Sequence, residues 1–258
     1  MTTRALLLVA LIWPSSAISQ VEFGDCPQKA VQTIPDPDLL HRILPPKSKS
    51  SWQGSPTVSV AELQVPRNAR DTLWKARELL QKKGRNDAIS YVDKALEFYP
   101  RFAEALALRA LLELDTNRER AQADAEKAVE YDSADSKGHL ALASVYIVLG
   151  KFDDAIHALD YVIAVDPEVW QGHFQMSRAL IGKRDYLAAF HQMQTTCKLV
   201  PKAYPILHLA KAEILMGLNS NRAAAVELET YLAEEPNAQE SPEARKRLDN
   251  LSAARRRD

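Results

Sequence analysis

The chain has 258 residues, of which 46% are hydrophobic and 26% charged, a globular balance. Eight glycines are too few for glycine-rich phosphate loops or for a turn-dense all-β fold. A net charge of −1 implies no general attraction to nucleic acid or to an anionic membrane.

Residues 1–19 stand apart. Arg4 precedes an unbroken apolar run over residues 5–13, and small residues follow at Ser15, Ala17 and Ser19. That order predicts a cleavable secretory signal peptide. The apolar run is too short to span a bilayer as a helix, so no integral membrane span is expected after cleavage. Loss of Arg4 leaves 32 basic against 34 acidic residues, a net charge of −2. The expected location is periplasmic or secreted.

From residue 20 to 67 the chain holds seven prolines: Pro27, Pro35, Pro37, Pro45, Pro46, Pro56 and Pro66. Proline blocks helix interiors and removes ladder donors, so this stretch reads as an extended or disordered linker. Two islands interrupt it. Residues 38–44 suit one or two helical turns, and residues 57–63 open with a strand-like alternation at Val58 and Val60. Cys26 lies in this linker and Cys197 in a helical apolar pattern. A cysteine in the second setting reads as a small buried hydrophobe. A Cys26–Cys197 bridge is the less favoured reading, open only because export permits it.

Residues 68–258 read as a different material, rich in helix formers. Helix-ending positions recur at Pro100, Ser133, Pro167, Pro201 and Pro236, spaced 33, 34, 34 and 35. Small residues recur in phase at Ala76, Ala110, Ala143 and Ser177, and again at Ala88, Ala121, Ala155, Ala189 and Ala223. Each period divides into two helices. In the period over 136–169, Gly150 supplies a positive-φ stop and Phe152 closes the turn. Ala143 and Ala155 let the two backbones approach. Asp153 and Asp154 suit a helix N-terminus, and Pro167 ends the unit. One such hairpin cannot bury its own apolar face, so neighbours must stack.

These residues resemble the tetratricopeptide repeat. The likeness is strongest over 136–169, through Leu142, Ala143, Tyr146, Gly150, Phe152, Ala155, Leu159 and Pro167. It is good over 170–203, through Met176, Ser177, Leu180, Tyr186, Ala189, Met193 and Pro201. Over 103–135 one residue is missing from the turn and Ser133 replaces proline, and the outer periods are degenerate. The linker-to-first-hairpin stretch is similar to exported bacterial members. The resemblance implies an all-α fold, a right-handed α-solenoid of about five helix-turn-helix repeats. A capping helix is expected over 241–256, with Ser241 as N-cap and Pro242 at its first position.

No chemical motif competes with that reading. The six histidines include two repeat-related pairs, His139 with His173 and His157 with His191, and stacked equivalents stand too far apart to share a metal. No H-E-x-x-H, C-x-x-C, G-x-S-x-G or P-loop spacing occurs. No catalytic residue, cofactor or metal is expected. Residues 153–154 read as dipole complement, and the basic runs 245–247 and 255–257 as solvated. The resemblance places a protein-binding groove on the first helix of each repeat. The residues carried over are Glu104, Ala107, Leu111, Lys137, Leu140, Ser144, Ile147, Gln171, Phe174, Arg178, Ile181, His208, Ala212 and Leu215. Leu140, Ile147, Phe174 and Ile181 would form an apolar strip beside Arg178, the composition of a binding hot spot. The implied function is a non-catalytic scaffold that binds a peptide or protein segment in envelope or extracytoplasmic assembly. A self-associating structural protein, a homo-oligomer with no other ligand, is the competing reading.

Overall fold

The computed structural model describes residues 60–82, 84–200 and 204–255. The signal peptide, the island at 38–44, Cys26 and most of the linker fall outside them. The described residues form twelve helices. Helix α1 (Val60–Leu63) leads into five antiparallel pairs: α2 (Arg67–Lys82) with α3 (Arg85–Phe98), α4 (Ala103–Glu113) with α5 (Arg118–Tyr131), and α6 (Ser136–Val148) with α7 (Phe152–Val165). Next come α8 (Trp170–Gly182) with α9 (Tyr186–Leu199) and α10 (Pro205–Gly217) with α11 (Asn221–Glu234). Helix α12 (Ser241–Arg255) packs on α11.

Residues 60–63 are helical where alternation suggested a strand. Val58 and Val60 alone carried the alternation, and the residues that follow, Ala-Glu-Leu, are strong helix formers. Just beyond, Val65 is buried with Ala69 and Leu73 and begins the core.

The repeat dictates local structure in the expected way. The second helix of each pair ends one residue before its C-cap, at Tyr99, Asp132, Asp166, Val200 and Glu235, and the recurring proline or Ser133 comes next. The turn inside the hairpin is a Schellman motif. Lys151 N–H donates to Tyr146 C=O at 2.8 Å and Gly150 N–H to Ile147 C=O at 3.1 Å. Gly150 takes φ 74° there; Arg184 and Asn219 occupy the same place in the next two hairpins at φ 62° and 60°. Asn117 and Asp185 cap the helices that follow their turns, and Asp135 caps α6.

Small residues sit where the backbones meet. Ala76, Ala110, Ala143, Ser177, Ala88, Ala121, Ala155 and Ala189 are all fully buried. In the last hairpin the buried member is Ala224, not Ala223. The loop between Leu199 and Pro205 carries one extra residue, so everything beyond it shifts by one. Phe152 does more than close its own turn. A Cβ added at Gly182 would stand 2.2 Å from the Phe152 ring, and one added at Gly217 would stand 2.3 Å from Tyr186. The aromatic that opens one second helix thus lies on a glycine at the end of the next first helix.

The capping helix begins at Ser241 itself. Its hydroxyl donates to the Glu235 carbonyl at 2.5 Å, tying α12 to the end of α11 instead of serving as an N-cap. Cys197 is buried in the cluster of Trp170, Phe174, Met193 and Ile214 as its pattern suggested. It is disulfide-bonded, however, and not a free thiol.

Candidate functional site: the face shared by the first helices

The first helices, α4, α6, α8 and α10, pack on one another in succession, while the second helices pack mainly on first helices. Helices that approach their own equivalents lie on the inside of a curved stack, so the first helices line its inner face. Ion pairs confirm the shared face. Glu104 on α4 takes Arg77 of α2 at 2.6 Å and Lys137 of α6 at 2.7 Å, both on the same carboxylate oxygen. Burial pushes the Glu104 carboxyl up, but the two cations outweigh it and hold the carboxyl at about 2. Lys137 is raised in turn: burial opposes its charge, and Glu104 overrides burial. Asp135, at the α6 cap, is pushed up by burial.

Counted from the start of the regular hairpin helix, the inner face takes its second, fifth, ninth and twelfth residues. Most of the apolar residues assigned to it form its floor and offer little surface. Ala107, Leu111, Leu140, Ser144, Ile147 and Gln171 are buried, and Phe174 is only 3% exposed. Leu140, Ile147 and Phe174 therefore pack between helices and form no open strip. Ser144 donates to Leu140 C=O at 2.8 Å and accepts from Gln175 at 3.1 Å; Gln175 in turn accepts from Arg178 at 2.9 Å. This chain of bonds leads from the floor to the partly exposed Arg178 and Ile181.

The last hairpin needs a correction. His208, Ala212 and Leu215 do not lie on this face. His208 occupies the fourth helix position, that of His139 and His173, and turns into its own hairpin. Its Nδ1 lies 2.5 Å from Glu227 and its Nε2 3.8 Å from Glu234, both on α11. His173 likewise contacts Gln192 and the Pro167 carbonyl. Ala212 and Leu215 are fully buried. The inner-face positions of α10 are Ile206, Leu209, Glu213 and Met216, all partly exposed. The 35-residue spacing from Pro201 to Pro236 was the available signal: applied to Ser177, it arrives at Ala212 as a packing residue. Arg77 was likewise missed, because the first hairpin is degenerate in sequence.

The inner face is thus ionic and partly exposed at α2, α4 and α6, closed at its middle floor, and apolar and partly exposed from Ile181 through Ile206, Leu209 and Met216, where Ile181 and Ile206 pack on the Trp170 cluster and Leu209 on the capping cluster. Arg247 of α12 reaches Glu213 at 3.8 Å and borders the apolar end. Among the described residues no group of three histidine, cysteine or acidic side chains is placed to hold a metal, and no helix is long and apolar enough to cross a membrane.

Solved structures share this arrangement. A tetratricopeptide-repeat protein of Thermus thermophilus superposes with a TM-score of 0.58 at 18% identity, over 72% of this chain and 99% of that one. One from Parabacteroides merdae gives 0.57 at 16% identity, over 72% and 71%. PilF of Pseudomonas aeruginosa gives 0.55 at 17%, over 73% and 91%. No protein-family model and no curated protein matches the sequence. The fold is that of an all-α tetratricopeptide-repeat solenoid.

Proposed function

We propose that this protein is an exported, non-catalytic scaffold whose inner face binds a peptide or protein segment during assembly of an extracytoplasmic complex. The observation that carries the proposal is the run of partly exposed apolar residues from Ile181 to Met216 on helices that share one face. Apolar side chains left partly open in a concave surface, next to ionic groups that fix orientation, suit an extended or helical segment laid across them. Lys137 and Arg178 supply donors for the polar part of such a segment. Export rests on the order of residues 1–19, and the bonded state of Cys197 agrees with an oxidising compartment.

The test compares the mature chain with a Met216→Asp variant. Proteins retained from an envelope fraction are identified, purified and titrated against both. The expected result is at least a tenfold weaker Kd for the variant, with unchanged helical circular dichroism. Equal affinities would place recognition off the inner face. Retention of nothing but the chain itself would replace the proposal with self-association. Phe174→Ala is unsuitable as a probe, since truncating a side chain this buried creates a core cavity.

A further inference from the structure

We propose that the segment taken by the inner face is acidic: a stretch of a partner protein whose side-chain carboxylates meet Arg77, Lys137 and Arg178 and whose apolar residues meet Ile181 and Met216. This rests on the reading of the inner face as a binding surface and adds the chemistry of its ligand.

Charge complementarity carries the proposal. In the register that aligns Ala76 with Ala143, the inner-face positions of α2 are Arg70, Leu73, Arg77 and Leu80. Over α2, α4, α6, α8 and α10 these positions hold four cations, Arg70, Arg77, Lys137 and Arg178, against two carboxylates, Glu104 and Glu213. The bordering charges of Asp135 and Arg247 cancel. The second helices show the reverse. Their second, sixth, ninth and thirteenth residues are exposed, Asp93 and Gln194 only partly, and they hold eight acidic residues against Lys198 and Arg222. A chain of net charge −1 is thus polarised, positive inside its curve and negative outside. Such a field turns an anionic segment away from the outer surface and draws it inward.

The cations are placed to donate. Arg77 and Lys137 both bond one oxygen of Glu104, yet their side chains stay 35% and 42% exposed against 21% for the carboxylate. A guanidinium has five N–H donors and an ammonium three, so both keep donors after meeting Glu104. Arg178, on the first helix after that of Lys137, donates to Gln175, which is itself anchored on Ser144. The two cationic points stand about one hairpin step apart, roughly 10 Å or more. They suit carboxylates spread along a segment, not a single terminal carboxylate. Nucleic acid fits less well, because Phe174, the one aromatic residue at these positions, is buried and offers no ring for a base to stack on.

The test titrates the full mature chain with three labelled peptides of equal length and leucine content, whose other positions are glutamate, glutamine or lysine. The Glu peptide is expected to bind roughly tenfold or more tighter than the Gln peptide, to weaken steadily with added salt, and the Lys peptide not to bind. Lys137→Glu and Arg178→Glu should each weaken the Glu peptide and leave the Gln peptide unchanged, with unaltered helical circular dichroism. Glu104→Gln should tighten the Glu peptide severalfold, a gain that loss of folding cannot imitate. Met216→Asp should weaken both peptides. Equal affinities for the Glu and Gln peptides, both lost in Met216→Asp, would overturn the acidic ligand and keep the binding face. A Glu preference that no variant changes would place the segment off the inner face and overturn both readings. Binding of no peptide overturns the acidic ligand, and capture from the envelope fraction then decides the binding face alone. Salt-reversible association of the chain with itself, displaced by the Glu peptide, would give the inner face to the acidic outer surface of a second copy and overturn the proposal.

Discussion

Gly182 and Gly217 show how a single hydrogen atom can set the spacing of two hairpins. At each, the position of a Cβ is filled by the ring of Phe152 or Tyr186 from the preceding hairpin. Overpacking of this kind typically costs ~1–3 kcal/mol, more where the backbone itself must move. Gly182→Ala and Gly217→Ala are each expected to cost about 2 kcal/mol or more by denaturant unfolding, and Phe152→Leu should relieve the first. Arg184 illustrates the opposite error of fit. It holds φ 62° where Gly150 serves in the previous hairpin, and a side chain there costs roughly 1 kcal/mol. Arg184→Gly should raise stability by no more than about 0.5 kcal/mol, because the greater freedom of glycine in the unfolded chain offsets much of the relieved strain; a loss above about 0.5 kcal/mol would mean that the Arg184 side chain holds a contact that outweighs its backbone strain.

Between elements, equivalent residues of paired helices (the seventh of each regular hairpin helix, and Lys75 in the longer α2) meet across the hairpin and change chemistry along the chain. Lys75 lies over the Tyr91 ring at 5.3 Å, Arg109 takes Asp124 at 2.7 Å, and Lys211 faces Glu227 at 3.6 Å. The middle hairpins place Leu142 and Met176 at this position on their first helices. A cationic side chain on the first helix thus marks the hairpins whose sequences depart furthest from the repeat. Arg109 also reaches Asp93 of the preceding hairpin at 2.8 Å, so it staples two units together. Burial opposes its charge, but the hydrogen bonds Arg109 donates to Asp124 and Asp93 outweigh that and raise its pKa. Asp124 is 5% exposed, and removing its partner leaves a buried charge uncompensated. Arg109→Ala is expected to cost about 3 kcal/mol, while an Arg109→Met/Asp124→Leu pair should recover most of it; calorimetry on the two variants checks the ordering. Glu104 gives a pH dependence with a definite sign. Its folded pKa lies below the ordinary 4.5, so its contribution is complete above that value and is lost as pH falls toward about 2. Glu113 opposes it. One oxygen takes Arg120 at 3.0 Å while the other is buried without a partner, and burial pushes the carboxyl up. Stability tied to Glu113 rises as pH falls through its raised pKa. Glu104→Gln should therefore flatten the acid limb of the stability curve between pH 4.5 and about 2, and Glu113→Gln should be neutral or stabilising at about pH 7.

For the molecule as a whole, the hairpins act as a stack whose ends are finished differently. At the C-terminus α12 covers α11 through Tyr231, Leu228 and Ala244, with Ser241 tied to Glu235. At the N-terminus Val65 docks against Ala69 and Leu73 ahead of α2. Deleting α12 uncovers the apolar face of α11, so truncation at residue 237 is expected to lower the melting midpoint and to fray α10 and α11 first; hydrogen exchange localised to those helices would establish the order of opening. Loss of protection at α2 before α10 would contradict it.

The sequence by itself determined the helix class, the pairing and the packing points. A 34-residue period of small residues, turn residues and prolines has one physical solution, because a single hairpin cannot bury its apolar face. Ala143, Ala155, Gly150 and Pro167 were legible for that reason: their roles are local or fixed by the period. Groove residues were legible only in part. A repeat names which helix lines the inner face, but not how deep a side chain sinks between neighbours, and Leu140, Ile147 and Phe174 sank into the floor. One extra residue before Pro205 moved the open positions of α10 to Ile206, Leu209, Glu213 and Met216. The ion pairs of Arg77, Glu104 and Lys137 and the bonded state of Cys197 belong to the tertiary structure alone. The ion pairs join residues far apart in the chain, and no local pattern records such a distance.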